Sequence, residues 1–407
     1  MSFNKLKDEK LDNLLQEYFG AEFFNPKHGE VKTFFETFKN QFKKSKCKII
    51  TVAGTNGKGQ TAHFINDYLT RLGKKCGLWT SPHVLSVTER FKFGDEYISH
   101  RELQKEFENL YSNDLKLSYY EFLFFCFCSL SSKRNLDYII LEVGLGGRLD
   151  AVNFLDADYT LLTSISKDHE EFLGSSLTGI LKEKLGVCRE ESAHISSLEQ
   201  EFLRKKQNDA ISHIVNKVDL FDIGILKQSD DYFLRNKILA LYFLNTLLKK
   251  YPSRQELLHE SSQFVCSVTK GRQEEVTIKN IKFIFIGAHN IDGIRKMRDY
   301  FLANKSVEKS NLLCAFSKRS EEDIISSLEI LKSSPCLWDS INVTSFEHLK
   351  ALPLNSLPNT DGISVVDEWK SFLDKVIISN KGQWIVTGSY YFIGEVQKYL
   401  NSRFSIL

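Results

Sequence analysis

The sequence predicts an α/β protein of two domains, a parallel-sheet domain over residues 1–270 and a smaller Rossmann-like domain over residues 271–407. Three observations predict it. Short β-branched runs alternate with amphipathic stretches of helical length, the pattern of parallel strands joined by helical crossovers. A glycine-rich loop stands directly between the first clear strand and the helix after it. The alternation fades after about Arg189 and restarts after Gly271-Arg272. At ~150 residues per domain, 407 residues suit two or three domains. With 42% apolar residues and only 6 Pro, the chain fills a sizeable core rather than staying disordered.

Lys48–Ala53 (KIITVA) reads as a strand that ends at glycine, and an amphipathic helix follows from about Gly59 to Leu72. The stretch SYYEFLFFCFCSLSS reads as a buried helix before a second strand, Leu136–Val143, and Tyr159–Ile165 as a third. Between about Arg189 and Asp230 the pattern is weak. A helix returns from Phe233 to Leu248, with Ile238, Leu241, Asn245 and Leu248 on related faces. In the second half, strands are expected at Ile281–Ile286, Asn311–Phe316, Asp339–Thr344 and Gln383–Thr387. Helices are expected near Ile291–Leu302, Glu321–Lys332 and Val365–Ile378, with a last one after Tyr390.

Charge excludes some partners. Against 54 Lys and Arg stand 52 Asp and Glu, so the formal charge of +2 leaves no broad footprint for nucleic acid or membrane. The cluster Lys43, Lys44, Lys46 and Lys48 reads as a solvated face. The expected partner is a small molecule. Eight scattered cysteines without a CxxC pair fit a reducing compartment. The polar N-terminus carries no apolar stretch of signal-peptide length. The most hydrophobic run, Phe122–Leu130, is about half of the ~20 residues that span a bilayer. A cytoplasmic monomer is expected.

The chemistry concentrates at strand ends. Gly54-Thr55-Asn56-Gly57-Lys58-Gly59 lies after a strand and before a helix, where backbone N–H groups and the helix dipole stabilise polyphosphate. Glycine lets the backbone approach closely, and Lys58 supplies a charge for the β and γ phosphates. The loop is a shortened relative of the GxxxxGK form, so the first domain is of P-loop type. Glu142 ends the second strand and leads into Gly144-Leu145-Gly146-Gly147-Arg148-Leu149-Asp150; Asp168-His169 follows the third strand. Ligands of open α/β sheets sit at such carboxyl ends.

These motifs carry a resemblance. AGTNGKG (Ala53–Gly59), TSPH with TERF, LEVGLGGRLDAVN (Leu141–Asn153), TSISKDHEEFLG (Thr163–Gly174) and KEKLGV (Lys182–Val187) occur in order. Together they resemble the folylpolyglutamate synthase/dihydrofolate synthase family, a branch of the Mur-type ATP-dependent amide ligases. The resemblance implies an ATPase domain followed by a glutamate-ligase domain. It implies that ATP phosphorylates the carboxylate of a folate or dihydropteroate, and that the L-glutamate amine then displaces phosphate. Ser81, Glu142 and His169 resemble the family's ligands for one or two Mg²⁺ ions, and Lys184 its carbamate-bearing lysine. The nucleotide-binding set implied by the resemblance is Gly54, Thr55, Asn56, Gly57, Lys58, Gly59, Gln60, Asn236, Arg272, His289 and Asn290. Lys58, Lys184, His169 and His289 are the implied catalytic residues, and Ser389 is a weaker match.

Gln60 stands where the family has Ser or Thr, and Ile286 and Ile291 stand where its C-terminal motif has Asp and Pro. Ser317-Lys318-Arg319 replaces an acidic turn. These departures give the competing expectation, a catalytically reduced folate- or nucleotide-binding protein on the same fold.

Overall fold

The computed structural model describes residues 11, 15, 17–19, 28–111, 117–212, 231–250, 252–267, 269–304, 309–358 and 361–404. It divides after Ser267 into two compact units. The first holds a seven-stranded sheet of β1 (Lys48–Ala53), β2 (Cys76–Trp79), β3 (Phe91–Phe93), β4 (Glu96–Tyr97), β5 (Tyr138–Glu142), β6 (Tyr159–Leu162) and β7 (Ala193–Ser196), in the order β4-β3-β2-β5-β1-β6-β7. β3 pairs antiparallel with both β2 and β4, and the other pairs are parallel. β1 lies between β5 and β6, with Val52 opposite both Glu142 and Leu161. The glycine-rich loop, Glu142 and the segment from Thr163 to His169 therefore leave the sheet side by side.

Helices cover both faces because these parallel strands are apolar on both sides. On one face the helix Tyr119–Ser132 buries Phe122, Phe124 and Phe127 completely. Trp79 meets Phe91, Tyr120, Phe124 and Phe127 at centroid distances of 5.3–5.7 Å. Each such phenylalanine contributes about 1.5–3 kcal/mol over an exposed position. Ser118 and Glu121 start that helix with reciprocal capping bonds. On the other face the helices Lys58–Arg71 and Tyr232–Leu247 share a second apolar cluster that includes Ile65, Leu69, Leu239 and Phe243.

The second unit is a six-stranded sheet of β8 (Arg272–Ile278), β9 (Ile281–Ile286), β10 (Ser310–Ala315), β11 (Trp338–Thr344), β12 (Ser364–Val366) and β13 (Gln383–Gly388). Its order is β12-β11-β10-β13-β9-β8, parallel except for β8 against β9. The helix expected at Val365–Ile378 begins only at Trp369. Val365 instead pairs with Val343 as part of β12, and Asp367-Glu368 separates that strand from the helix.

The weakly patterned stretch contains β7 and the helix Glu201–Ile211; residues 213–230 lie outside the described residues. Its signal is faint because β7 (AHIS) buries a histidine: the His194 Nδ1 and the Thr160 hydroxyl stand 2.7 Å apart. β2 is similarly brief and holds Gly77, whose absent side chain leaves room for Leu136 and Phe93. Among the described residues no helix is long and apolar enough to cross a membrane.

Candidate active site

The loop after β1 is shaped by the loop after β6. Thr55 N donates to the Ser164 carbonyl at 2.8 Å, and Asn56 N to the Ser164 hydroxyl at 3.0 Å. The Thr163 hydroxyl donates to the Asn56 carbonyl at 2.6 Å, and Thr55 exchanges two 3.1 Å bonds with Ser166. These bonds draw the Asn56 carbonyl into the protein. Gly54 and Gly57 hold φ of 146° and 87°, and a side chain on Gly54 would meet the Thr163 hydroxyl at 2.0 Å.

The helix Lys58–Arg71 starts immediately after Gly57, and the Lys58 Nζ donates to the Thr55 carbonyl at 3.0 Å. The ammonium thus lies over the loop it follows, at the positive end of a helix dipole. Gln60 points toward the helix Tyr232–Leu247, where Asn236 Nδ2 donates to its Oε1 at 2.7 Å. Asn236 is also what a side chain on Gly57 would strike, at 2.5 Å. Gln60 and Asn236, 176 positions apart, thereby form one wall of the loop. In Gly57→Ala, left-handed backbone costing ~1–3 kcal/mol adds to that collision. We expect the Kd for an ATP analogue to rise at least about tenfold; calorimetry on the folded variant checks this, and an unchanged Kd would refute it.

Lys184 reaches the loop from behind. It is 4% exposed, and its Nζ donates to the Gly54 carbonyl at 2.8 Å. Burial pushes its pKa down to about 7, the Lys58 charge pushes the same way, and Asp168 and Asp150 oppose both. The GLGGRLD segment supports this lysine. Gly147 sits close against the backbone of Glu183 and Lys184, and Arg148 N donates to the Glu183 carbonyl at 2.9 Å. Asp150 accepts from Leu145 N at 2.8 Å, from Val152 N at 3.1 Å and from the Tyr120 hydroxyl at 3.1 Å. Burial raises the Asp150 pKa to about 6 against those bonds.

Two of the expected metal ligands meet. The buried Glu142 carboxylate accepts the Ser81 N–H at 2.9 Å. Glu89 ties the following turn by accepting from the backbone N–H groups of Val84, Leu85 and Ser86 at 2.8–3.0 Å. The half-exposed His169 ring is 4.0 Å from Asp168 and 3.7 Å from Glu171. Among the described residues no three His, Cys, Asp or Glu side chains group as a metal site. A carboxylate beside a hydroxyl fits Mg²⁺, which takes few protein oxygens and keeps several waters.

In the second unit Arg272 lies opposite Ile286, and the Gly271 carbonyl accepts from Gly287 N at 2.8 Å. The His289 ring lies 5.7 Å from that of Tyr390. Asn290 is buried and caps the helix Ile291–Ala303 through Gly293 N at 2.8 Å, so its oxygen serves the fold. Ser389 is buried and accepts a 2.9 Å bond from Ser317. Ile286 sits in the apolar cluster with Ile284, Ala288 and Ile294. Sequence reasoning passed over Thr163, Ser164 and Ser166, although the motif TSIS that holds them stands between the third strand and His169.

Comparison with known proteins gives a consistent picture. No family model matches the sequence. The chain is 30% identical over 399 residues to the dihydrofolate synthase/folylpolyglutamate synthase of Buchnera aphidicola subsp. Baizongia pistaciae, covering 91% of each. Its fold matches a bifunctional folylpolyglutamate synthase/dihydrofolate synthase from Yersinia pestis complexed with AMPPNP and Mn ion, at a TM-score of 0.79 and 24% identity. That match covers 96% of this chain and 98% of the other. E. coli FolC in complex with DHPP and ADP matches at a TM-score of 0.76 and 22% identity, over 98% of each chain.

Proposed function

The chain belongs to the dihydrofolate synthase/folylpolyglutamate synthase family, and from that premise we infer an ATP-dependent ligase that joins L-glutamate to the carboxylate of dihydropteroate or of a folate. The carboxylate oxygen attacks the γ-phosphorus of ATP, and ADP leaves. The glutamate amine attacks the resulting acyl phosphate, loses a proton, and inorganic phosphate departs as the amide forms. Carboxylate and triphosphate repel each other, so the barrier is chiefly one of position and charge. The observation that carries the reading is the loop Gly54–Gly59 with Lys58 folded over it and Lys184 buried behind it. A non-catalytic binding protein is not favoured, because Gln60 is taken up by Asn236 within the loop wall.

We propose that the loop N–H groups and Lys58 hold the β and γ phosphates, with Asn236 and Gln60 setting the loop wall. In the second unit Arg272, His289 and Asn290 are proposed to act on the nucleotide. Glu142 and Ser81, with His169, would hold Mg²⁺, whose charge would offset that of the phosphate oxygens. We propose that Lys184 carries a carbamate, since its lowered pKa leaves a neutral amine to add CO₂. A monomer in the cytoplasm, where its eight thiols stay reduced, belongs to the same reading.

The direct test is phosphate release that needs both L-glutamate and an acceptor, measured with dihydropteroate and with tetrahydrofolate. Release that ignores the acceptor would overturn the ligase. In Glu142→Ala we expect turnover to fall and the Mg²⁺ concentration for half-maximal rate to rise together. An unchanged Mg²⁺ titration would make Glu142 purely structural.

A further inference from the structure

Glu274 on β8 is 2% exposed, far from the usual setting of a carboxylate. Its Oε1 accepts from Lys270 Nζ at 2.9 Å. Its Oε2 accepts from Gly271 N at 2.9 Å and from Gln397 Nε2 at 2.6 Å. Three donors on one buried carboxylate make a rigid knot under the turn that begins the second unit. The register of β8 on β9 slips there: Arg272 faces Ile286 while Glu274 faces Phe285. Gln273 is the extra residue, held at a φ of 63°. Such a bulge bends the strand and re-aims the neighbouring side chain. The neighbour is Arg272.

Gly271, the residue before Arg272, is gripped from both sides. The N–H of Gly271 donates to Glu274, the carbonyl of Gly271 accepts from Gly287 N, the residue that opens the segment Ala288-His289-Asn290, and the Arg272 N–H donates to the Thr269 carbonyl at 3.1 Å. A left-handed glutamine costs ~1–3 kcal/mol, and such strain persists where surrounding bonds over-determine it. We propose that Glu274 is a positioning residue for the ligase: it fixes the bulge at Gln273 and thereby the direction in which Arg272 presents its guanidinium. The inference rests on the reading of Arg272 as a phosphate contact. A carboxylate that only stabilised the sheet would leave Arg272 equally effective whenever the protein is folded.

The test is a double-mutant cycle in kcat/KM for ATP, run on the full chain with thermal unfolding of every variant. Arg272→Ala is expected to lose about 10²-fold. Glu274→Ala should lose nearly as much, and the double variant no more than either single. Glu274→Gln, which keeps an oxygen for the Gly271 N–H, should recover most of the loss. If Glu274→Ala does not fold, Glu274→Leu fills the same volume without acceptors and enters the same cycle. Losses that multiply in the double variant, or a fully active Glu274→Ala or Glu274→Leu beside a crippled Arg272→Ala, overturn the positioning role and leave the reading of Arg272 intact. An unimpaired Arg272→Ala overturns that reading and the positioning role together.

Discussion

Lys58→Ala abolishes ATP-dependent ligation, by on the order of 10²-fold or more, while the protein stays folded. The expectation follows from where the ammonium lies. It closes on the carbonyl of Thr55, at the start of a helix and beside a loop backbone held at Asn56 by Thr163 and Ser164. A donor in so preorganised a place pays no reorganisation as charge shifts between phosphates, and removing one such donor typically costs 10²–10³ in rate. Lys58 is only partly buried, and its Nζ donates to a carbonyl of its own loop. Thermal unfolding within a degree or two of wild type, with ADP formation reduced to the stated extent, is the expected pair of results. Near-normal turnover by a folded variant would remove the loop from the reaction.

The loop and its lysine were legible because a strand, a glycine run and a helix occupy adjacent positions in sequence. Lys48–Ala53, Ile281–Ile286 and Glu321–Lys332 match the expected elements residue for residue, since each is a continuous apolar or amphipathic run with clear ends. What stayed hidden was whatever depends on distant pairing. Gln60 read as a missing hydroxyl, whereas the fold gives it Asn236 as a partner. Asn290 read as a nucleotide ligand, and its cap on the helix Ile291–Ala303 through Gly293 N was not visible in the motif. β12 read as the start of a helix because two valines before an amphipathic stretch fit either period. Glu274 gave no signal at all: a glutamate in RQEEV looks like any exposed strand residue until Lys270, Gly271 and Gln397 converge on it.

The second large effect belongs to Lys184, and its sign with pH can be worked out. An unfolded lysine holds its proton to near pH 10.5, whereas the folded one releases it at about 7. Between those values the unfolded chain binds a proton that the native protein lacks, so native stability rises with pH across that window. Below about pH 7 the native amine is charged as well, and the cost of burying it is borne in full. Lys184→Met removes that cost. It should melt higher than wild type at pH 6, with the gap narrowing toward pH 9, while losing on the order of 10²-fold or more in ligation. A variant gaining stability as it loses activity would separate catalysis from folding. The proposed carbamate accounts for the expected loss: the neutral amine would add CO₂ and release a proton to become a carbamate anion. Wild-type activity should therefore climb through pH 7 and fall in CO₂-depleted buffer, recovering with bicarbonate. Lys58→Ala, which lifts a repelling charge from Lys184, should move the amine's titration to higher pH. Full ligation by Lys184→Met, or indifference of the wild type to bicarbonate at pH 7, would confine this lysine to its bond with Gly54.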